Sequence, residues 1–179
     1  KKAYLKYISS FLTLCGEAKE EAQKNAQDFF AFEKQLSDAS LTIAEQYDPG
    51  KTYNIYTLNE LKKIFSDVDI QRAFDETGLS ESSRIKVSDR GNMTELAGML
   101  TDANLAAVKN YLKVRLIVES SEYLSEDFRN TKVIYEEESL GKSGSKPLNE
   151  EAAEVIAEVL PDYVGQIYAE RYCSDEIIS

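Results

Sequence analysis

The sequence of 179 residues contains no histidine and no tryptophan, and it has only two cysteines and three prolines. The absence of histidine has the largest consequence. It removes the imidazole general base, the Ser–His and Cys–His dyads, and every zinc site that needs a histidine ligand. Carboxylates remain, but no two of them stand at a fixed spacing that indicates acid–base chemistry. The sequence therefore predicts no catalytic residue and no metal ligand within this chain.

Positive charge is also scarce. Lys and Arg number 21 against 32 Asp and Glu, which gives a formal net charge of −11 and a pI near 4.6. Such a surface repels phosphate backbones, so we expect no nucleic-acid partner. No apolar run approaches the roughly 20 residues of a membrane span. The chain begins at Lys1 without a leader-like segment. We therefore expect a soluble fragment of a longer protein, whose compartment, cytoplasmic or exported, the sequence does not give.

The two cysteines, Cys15 and Cys173, lie near opposite ends of the chain among apolar residues at helical spacing. This pattern predicts buried free thiols. A disulfide between them stays open as an alternative, because spacing alone does not show whether the two terminal helices meet.

Apolar residues recur at helical spacing over most of the chain, whereas alternating apolar and polar residues occur in only one short stretch, residues 84–88. The pattern predicts a multi-helix, all-α domain with one short extended or hairpin element there. We expect residues 1–179 to form a single helical domain. A flexible loop is expected near residues 141–147, where glycine, serine and lysine replace the apolar residues.

Local signals place several helix ends. Gly16 stops the first helix, and the second runs from Glu17 to about Ser37. Asp48-Pro49-Gly50 is read as a turn. Thr57 and Glu60 form the pattern of a capping box at the start of the next helix. Further along, Asn149 is predicted to cap a helix, and Pro161 to break the chain into a final one.

The central helix is predicted to begin at Thr101 or Asp102 and to continue to about Tyr123. Its inward face is expected to be leucine-rich, because those leucines recur at helical spacing. The predicted inward residues are Leu105, Val108, Tyr111, Leu112, Leu116 and Tyr123.

Eleven tyrosines are many for this length. Tyr163, Tyr168 and Tyr172 are interpreted as lying close to one face of the last helix. Two readings stay open: core packing with hydroxyls at the boundary, or a face that packs against a second domain or lines a chamber. Asn92-Met93-Thr94 fits a glycosylation acceptor, and we interpret this match as chance.

Three blocks in order resemble the N-terminal helical region of the neprilysin-like zinc metallopeptidases, the family of neprilysin, the endothelin-converting enzymes and bacterial oligopeptidases. The first runs from Tyr4–Ile8 to Phe32-Glu33-Lys34-Gln35-Leu36. The second is Tyr53-Asn54-Ile55-Tyr56-Thr57-Leu58-Asn59-Glu60-Leu61, followed later by Leu105–Tyr111-Leu112, and the third is Leu160–Tyr172. The signature residues within them are Phe32, Glu33, Leu36, Tyr53, Asn54, Thr57, Leu58, Glu60, Leu61, Gly165 and Tyr168.

The resemblance implies a non-catalytic helical lid that walls a chamber above a zinc domain and admits only short peptides. It implies that zinc and its ligands belong to a catalytic domain of the same parent chain, which would be this fragment's partner. The low cysteine content favours a bacterial type of relative. The fragment is expected to be inactive alone, and a dimer of the excised domain is conceivable on this reading. The alternatives are a stand-alone helical interaction module, or an enzyme that uses only carboxylates.

Overall fold

A computed structural model describes residues 1–79, 84–141, 144 and 146–173. This part of the chain contains ten α-helices and one antiparallel two-stranded sheet, which confirms the predicted all-α class with a small extended element. The helices are α1 (Lys2–Leu14), α2 (Lys19–Asp38), α3 (Pro49–Thr52), α4 (Leu58–Ile64), α5 (Ile70–Glu76), α6 (Arg90–Met99), α7 (Leu105–Ser120), α8 (Glu126–Leu140), α9 (Leu148–Val159) and α10 (Pro161–Tyr172). The strands are β1 (Asn54–Tyr56) and β2 (Ile85–Val87).

The chain divides into two compact units, one of residues Lys1–Tyr135 and one that begins at Glu136. The predicted loop near residues 141–147 belongs to the second unit. Three of its seven residues, Lys142, Ser143 and Ser145, lie outside the described residues.

The core of the first unit forms where α1 and α2 pack against each other and against α7. Phe11 and Phe29, which belong to the apolar residues that recur at helical spacing, are each 1% exposed. Aromatic rings link the helices: Phe11 stacks on Phe128 of α8 at 5.7 Å between centroids, and Phe29 stacks on Tyr111 of α7 at 5.5 Å. The buried cluster consists of Tyr7, Ile8, Phe11, Leu12, Ala22, Ala26, Phe29, Val114 and Ile117.

The predicted inward face of α7 is confirmed at Tyr111, which packs against the core, but is wrong for its leucines and for Tyr123. Val114 and Ile117 are the buried residues of this helix, with Tyr111 and Val118 packed beside them. Leu105, Leu112 and Leu116 are 47%, 59% and 68% exposed, and Tyr123 beyond the helix is 67% exposed. Because α7 carries apolar residues on opposite sides, periodicity alone does not identify the side that faces the core.

The extended segment predicted at residues 84–88 is β2, and it pairs with β1, which was not predicted. The register places Asn54 opposite Val87 and Tyr56 opposite Ile85. Asp48-Pro49-Gly50 is not only a turn: the Asp48 carboxylate accepts from the Gly50 N–H at 2.8 Å, and Pro49 is the first residue of α3.

The end of α2 and the start of α6 lie unusually close together. A Cβ on Gly91 would stand 2.4 Å from the carbonyl oxygen of Ala39. The Asn92 amide donates to the Leu36 carbonyl at 3.2 Å and to Ser40 Oγ at 2.9 Å, and the Asp89 carboxylate accepts from the Leu41 N–H at 2.7 Å. The nitrogen that glycosylation would modify is therefore occupied in holding two helices together.

Predicted helix ends are confirmed where a side-chain cap or a glycine supplies the signal. Thr57 and Glu60 form the complete capping box of α4, as predicted. Gly16 follows α1 with φ of +93°, a backbone conformation that suits glycine. The cap predicted at Asn149 is wrong, because α9 begins one residue earlier, at Leu148, with Pro147 in the cap position.

Both cysteines are free, but the prediction that both are buried is wrong for Cys15, which is exposed. Cys15 occupies the position after the last residue of α1, where the chain turns out of the helix, so it lies beyond the buried face. Cys173, which follows α10, is half-buried.

Candidate functional site

A metal centre is the first kind of site to test, because the sequence resembles zinc enzymes. In residues 1–79, 84–141, 144 and 146–173, no group of three His, Cys, Asp or Glu side chains comes together in a way that could hold a metal ion. The whole sequence also has no histidine. The described residues therefore do not fit a zinc site, and we assign no zinc chemistry to them.

The first unit has a groove of about 480 Å³ between α2 and the segment that leads into α7. Its apolar lining includes Phe32 of α2, Met99 of α6 and the small side chains of Ala103, Ala106 and Ala107. The remaining lining residues are Lys24, Asn25, Asp28, Ala31, Gln35, Asn104 and Asn110.

The amides of this groove are already engaged. Asn110 Nδ2 donates to the Asn25 carbonyl at 2.8 Å, and Asn25 Nδ2 donates to Glu17 Oε2 at 2.9 Å. Gln35 Nε2 donates to Glu95 Oε1 at 2.6 Å. Asp28 is the one acidic residue among the described lining residues, and a single carboxylate does not form an acid–base pair. The groove is therefore a packing crevice with polar walls rather than an arrangement of catalytic groups.

A partly buried polar link joins three helices of the first unit. The Tyr4 hydroxyl donates to Glu33 Oε2 at 2.6 Å, and Glu33 Oε1 lies 3.9 Å from Arg115 Nη1. Burial raises the pKa of Tyr4 well above its ordinary value, and the hydrogen bond to the Glu33 carboxylate raises it further. Tyr4 therefore stays neutral as a hydrogen-bond donor, and the link holds α1, α2 and α7 in register.

The signature residues of the first block have structural positions in this unit. Phe32 is 5% exposed and stacks on Tyr111 at 4.6 Å between ring centroids. Glu33 accepts the Tyr4 hydrogen bond, and the carbonyl of half-buried Leu36 accepts from Asn92.

The signature residues of the second block surround the small sheet and the start of α4. Asn54 Nδ2 donates to the carbonyls of Lys51 and Val87, at 2.7 and 3.1 Å, and so spans the two strands. In the capping box, the Glu60 carboxylate accepts from the Thr57 N–H at 2.7 Å, and these bonds lower the pKa of Glu60. Leu61 is buried, Leu58 is half-buried, and the Tyr53 ring is 60% exposed.

The third block lies in the second unit, and its signature residues are exposed. Tyr168 and Tyr172 are 61% and 67% exposed, with ring centroids 5.0 Å apart, and Tyr163 is 68% exposed. Tyr163 stands five residues before Tyr168, about 140° away around a helix axis. The structure therefore pairs Tyr168 with Tyr172, and the three tyrosines do not share one narrow face. A Cβ on Gly165 would meet nothing within 4 Å.

Sequence reasoning missed two features of the first unit. One is the contact at Gly91, since nothing local marks a glycine that another helix approaches. The other is the exposed face of α7. Its signal was present in the sequence, as apolar residues on two opposite sides of one helix.

Comparisons with known proteins give the family. The N-terminal model of Peptidase family M13 matches residues 1–178. The neutral endopeptidase of Lactobacillus helveticus is 26% identical over 168 residues, which are 93% of this chain and 26% of that protein. Neprilysin-11 of Caenorhabditis elegans is 22% identical over 181 residues, which are 96% of this chain and 21% of that protein. The chain thus spans about a quarter of the length of these relatives.

Solved structures show the same fold. The zinc metalloprotease Zmp1 of Mycobacterium tuberculosis, in its open state, matches with a TM-score of 0.88 at 19% identity, over 97% of this chain and 27% of that one. PepO from Lactobacillus rhamnosis HN001 matches with a TM-score of 0.78 at 15% identity, over 98% of this chain and 28% of that one. None of the helices in the described part of the chain is long and apolar enough to cross a membrane. With the family match over residues 1–178, these findings establish that the chain belongs to peptidase family M13 and has the fold of its helical N-terminal region.

Proposed function

We propose that this chain is a non-catalytic helical part of a zinc-dependent metalloendopeptidase that acts on short peptides. Its role is steric: packed helices form part of the wall of a chamber and restrict substrates by size. Zinc and its ligands belong to the catalytic domain of the same parent chain. The observation that carries the proposal is the family match over residues 1–178 of a sequence without histidine.

The packing of the first unit supports a wall. Its three central helices are joined by stacked rings and by the Tyr4–Glu33 hydrogen bond, so they resist bending. A wall excludes large substrates only if it does not deform when they press on it. It also favours reaction by limiting the orientations that a bound peptide can take.

The first experiment tests whether the chain is inactive alone. The purified 179-residue chain is incubated with Zn²⁺ and a short fluorogenic peptide, beside the parent protein as a positive control. We expect turnover by the parent only. Turnover by the chain above a no-protein control, which persists after repurification, would refute the proposal.

The second experiment tests restriction by size. The parent is assayed on peptides of increasing length that share one cleavable sequence, and on a folded protein that displays the sequence in a loop. We expect kcat/KM to fall steeply for the long peptides and the folded protein. Equal kcat/KM across the series would remove the steric role and leave the family membership untouched.

A stand-alone interaction module is the second candidate, because the tyrosines of α10 are exposed. On that reading the chain binds a partner protein through this helix. The parent reading frame discriminates between the two candidates. A His–Glu–x–x–His helix encoded beyond Ser179 favours the peptidase, whereas a stop codon directly after Ser179 favours the module. Size-exclusion chromatography of the chain shows whether it forms a dimer.

A further inference from the structure

The side of α7 that faces away from the core carries leucines and two charges of opposite sign at regular intervals. Its residues are Leu105, Lys109, Leu112, Leu116 and Glu119, and all of them are exposed. They follow one another at steps of four, three, four and three residues, so they lie within about 80° of one another around the helix axis. We call these five residues the α7 stripe.

The spacing of the α7 stripe is that of a helix that packs against a second helix. Alternating steps of three and four residues define the seam of a two-helix coiled coil. The core of the first unit is contacted by a different side of α7, through Val114 and Ile117, which are 1% and 8% exposed. The stripe is therefore a second packing side of the same helix, and its leucines are 47–68% exposed.

The residues of the stripe are arranged symmetrically about position 114. Lys109 stands five residues before that position, and Glu119 stands five residues after it. Leu112 and Leu116 stand two residues before and two residues after it. Read backwards, the stripe therefore has leucine opposite leucine and the opposite charge wherever it has a charge.

An antiparallel pair of stripes matches these charges, whereas a parallel pair does not. In an antiparallel pair whose twofold axis passes close to position 114, Lys109 of each copy opposes Glu119 of the other. Leu112 of each copy then opposes Leu116 of the other. A parallel pair in register would place each charge against the same charge, and like charges that face each other weaken an association. Charge thus selects both the antiparallel direction and the register.

A partner helix that carries one sign of charge fits the stripe less well. An acidic helix would oppose Glu119, and a basic helix would oppose Lys109. In the described part of the chain no ion pair of Lys109 is found, while Glu119 pairs with Arg115 at 2.6 Å and is still 65% exposed. The cations beside the stripe, Lys113 and Arg115, pair with Glu17 and Glu119 of the same copy, which neutralises them near the axis. A second copy supplies both signs of charge at the required spacing.

We propose that two copies of this chain associate through their α7 stripes as an antiparallel helix pair, with Lys109 of each copy against Glu119 of the other. The interface consists of one helix of 16 residues from each copy, about 24 Å long. Such a small contact gives a dimer that dissociates on dilution. The proposal concerns the surface of the chain itself, so it does not depend on the proposed function.

Sedimentation velocity of the 179-residue chain, from micromolar to submillimolar concentration, measures the association. A reducing agent is present to exclude a disulfide between copies through the exposed Cys15. We expect a monomer at the lowest concentrations and a dimer at the highest. A monomer over the whole range would overturn the proposal.

Charge reversal tests the register. Lys109→Glu and Glu119→Lys should each raise the dissociation constant about tenfold or more, because each variant places like charges face to face twice. An equimolar mixture of the two variants should form a heterodimer, because one variant then carries two negative positions in the stripe and the other carries two positive ones. Lys62→Glu, at an exposed position of α4, is the matched control and should leave the dissociation constant unchanged.

Three outcomes of the reversal experiment would also overturn the proposal. A dimer that neither reversal weakens would lie on another surface. An equal weakening by Lys62→Glu would mean that net charge, and not the stripe, controls the association. A mixture that does not associate, with both variants folded by circular dichroism, would exclude the antiparallel register. These readouts are masses, so they are independent of the turnover assays that test the proposed function.

Discussion

The two units of the chain use apolar residues differently. The first unit, Lys1–Tyr135, contains the buried cluster of α1, α2 and α7, in which Ile8, Phe11 and Phe29 are almost inaccessible. In the described part of the second unit, α9 and α10 have no buried residue, and Ile156, Tyr163 and Ile167 are 52–68% exposed. Both units contain signature residues. Resemblance to the family therefore does not distinguish residues that build a core from residues that stand exposed.

The contrast has an energetic meaning. A buried aromatic side chain contributes about 1.5–3 kcal/mol through removal from water, while an exposed one contributes little of this. In the first unit, burial of apolar side chains stabilises the packing of the helices against each other. The second has two helices of twelve residues each, and helices of that length are marginal without tertiary packing. Mutations should therefore affect stability in the first unit more than in the second.

The largest effect is expected from Phe11→Ala. Phe11 is 1% exposed and contacts Tyr7 and Phe128, so its removal should leave a cavity and cost about 3–5 kcal/mol of unfolding free energy. Urea denaturation followed by circular dichroism measures the change. The control, Tyr163→Ala, removes a 68% exposed ring from α10 and should change the free energy by less than about 0.5 kcal/mol. Similar losses for both variants would contradict the contrast between the units.

The next effect compares two glycines. Gly91→Ala places a Cβ 2.4 Å from the Ala39 carbonyl, so α2 and α6 must separate, at a cost of about 1–3 kcal/mol. Gly165→Ala in α10 meets nothing within 4 Å and should stabilise by about 0.5–1 kcal/mol, because alanine favours helix. In urea denaturation, the free energy of unfolding should fall for Gly91→Ala and rise for Gly165→Ala. A loss for Gly165→Ala in this chain would show that α10 is more closely packed than its exposure indicates.

A smaller effect is expected at the capping box. Thr57→Ala removes the acceptor for the Glu60 N–H and should cost about 1 kcal/mol. In the second unit, Pro147 and Leu160 stand at the cap positions of α9 and α10 and make no side-chain hydrogen bond. A substitution at either position would therefore remove no cap. Asn59→Ala, at an exposed position of α4, is the control and should not lower stability. An equal loss for Asn59→Ala would mean that the loss is not specific to the cap, because alanine itself favours helix.

The smallest effect is confined to alkaline pH. Since folding raises the pKa of Tyr4 above its ordinary value of 10, its stabilising contribution is complete below pH 10 and is lost as pH rises from there. Absorbance at 295 nm should show one phenol that ionises after the others. Tyr4→Phe should abolish this late step and reduce the alkaline loss of stability. A late step that persists in Tyr4→Phe would assign it to another tyrosine.

Local signals predicted the fold best. The capping box at Thr57 and Glu60 and the stop at Gly16 depend on residues a few positions apart, and the structure confirms both. The cap predicted at Asn149 was wrong, because α9 begins one residue before the side chain that was expected to cap it.

Features that depend on distant residues were not predictable. β1 is three residues long and is defined by a partner about thirty residues later in the sequence. The inward side of α7 depends on which neighbours pack against it, and its leucines face away from the core. For the candidate site, the absence of histidine excluded histidine-dependent catalysis and histidine ligands for zinc from the sequence alone. The separation of Tyr163 from the Tyr168–Tyr172 pair follows from helix geometry.

The pairing of β1 with β2 also bears on how this fold accommodates changes in length. Tyr56 and Ile85 lie opposite each other in adjacent strands, although α4 and α5 come between them in the sequence. We call the segment between Tyr56 and Ile85 the excursion. Hydrogen bonding between the two strands holds its two ends about 5 Å apart. Residues can be gained or lost inside the excursion while its entry and exit points stay fixed, and the helices before and after it keep their places. Homologues could therefore carry excursions of very different size on an unchanged frame.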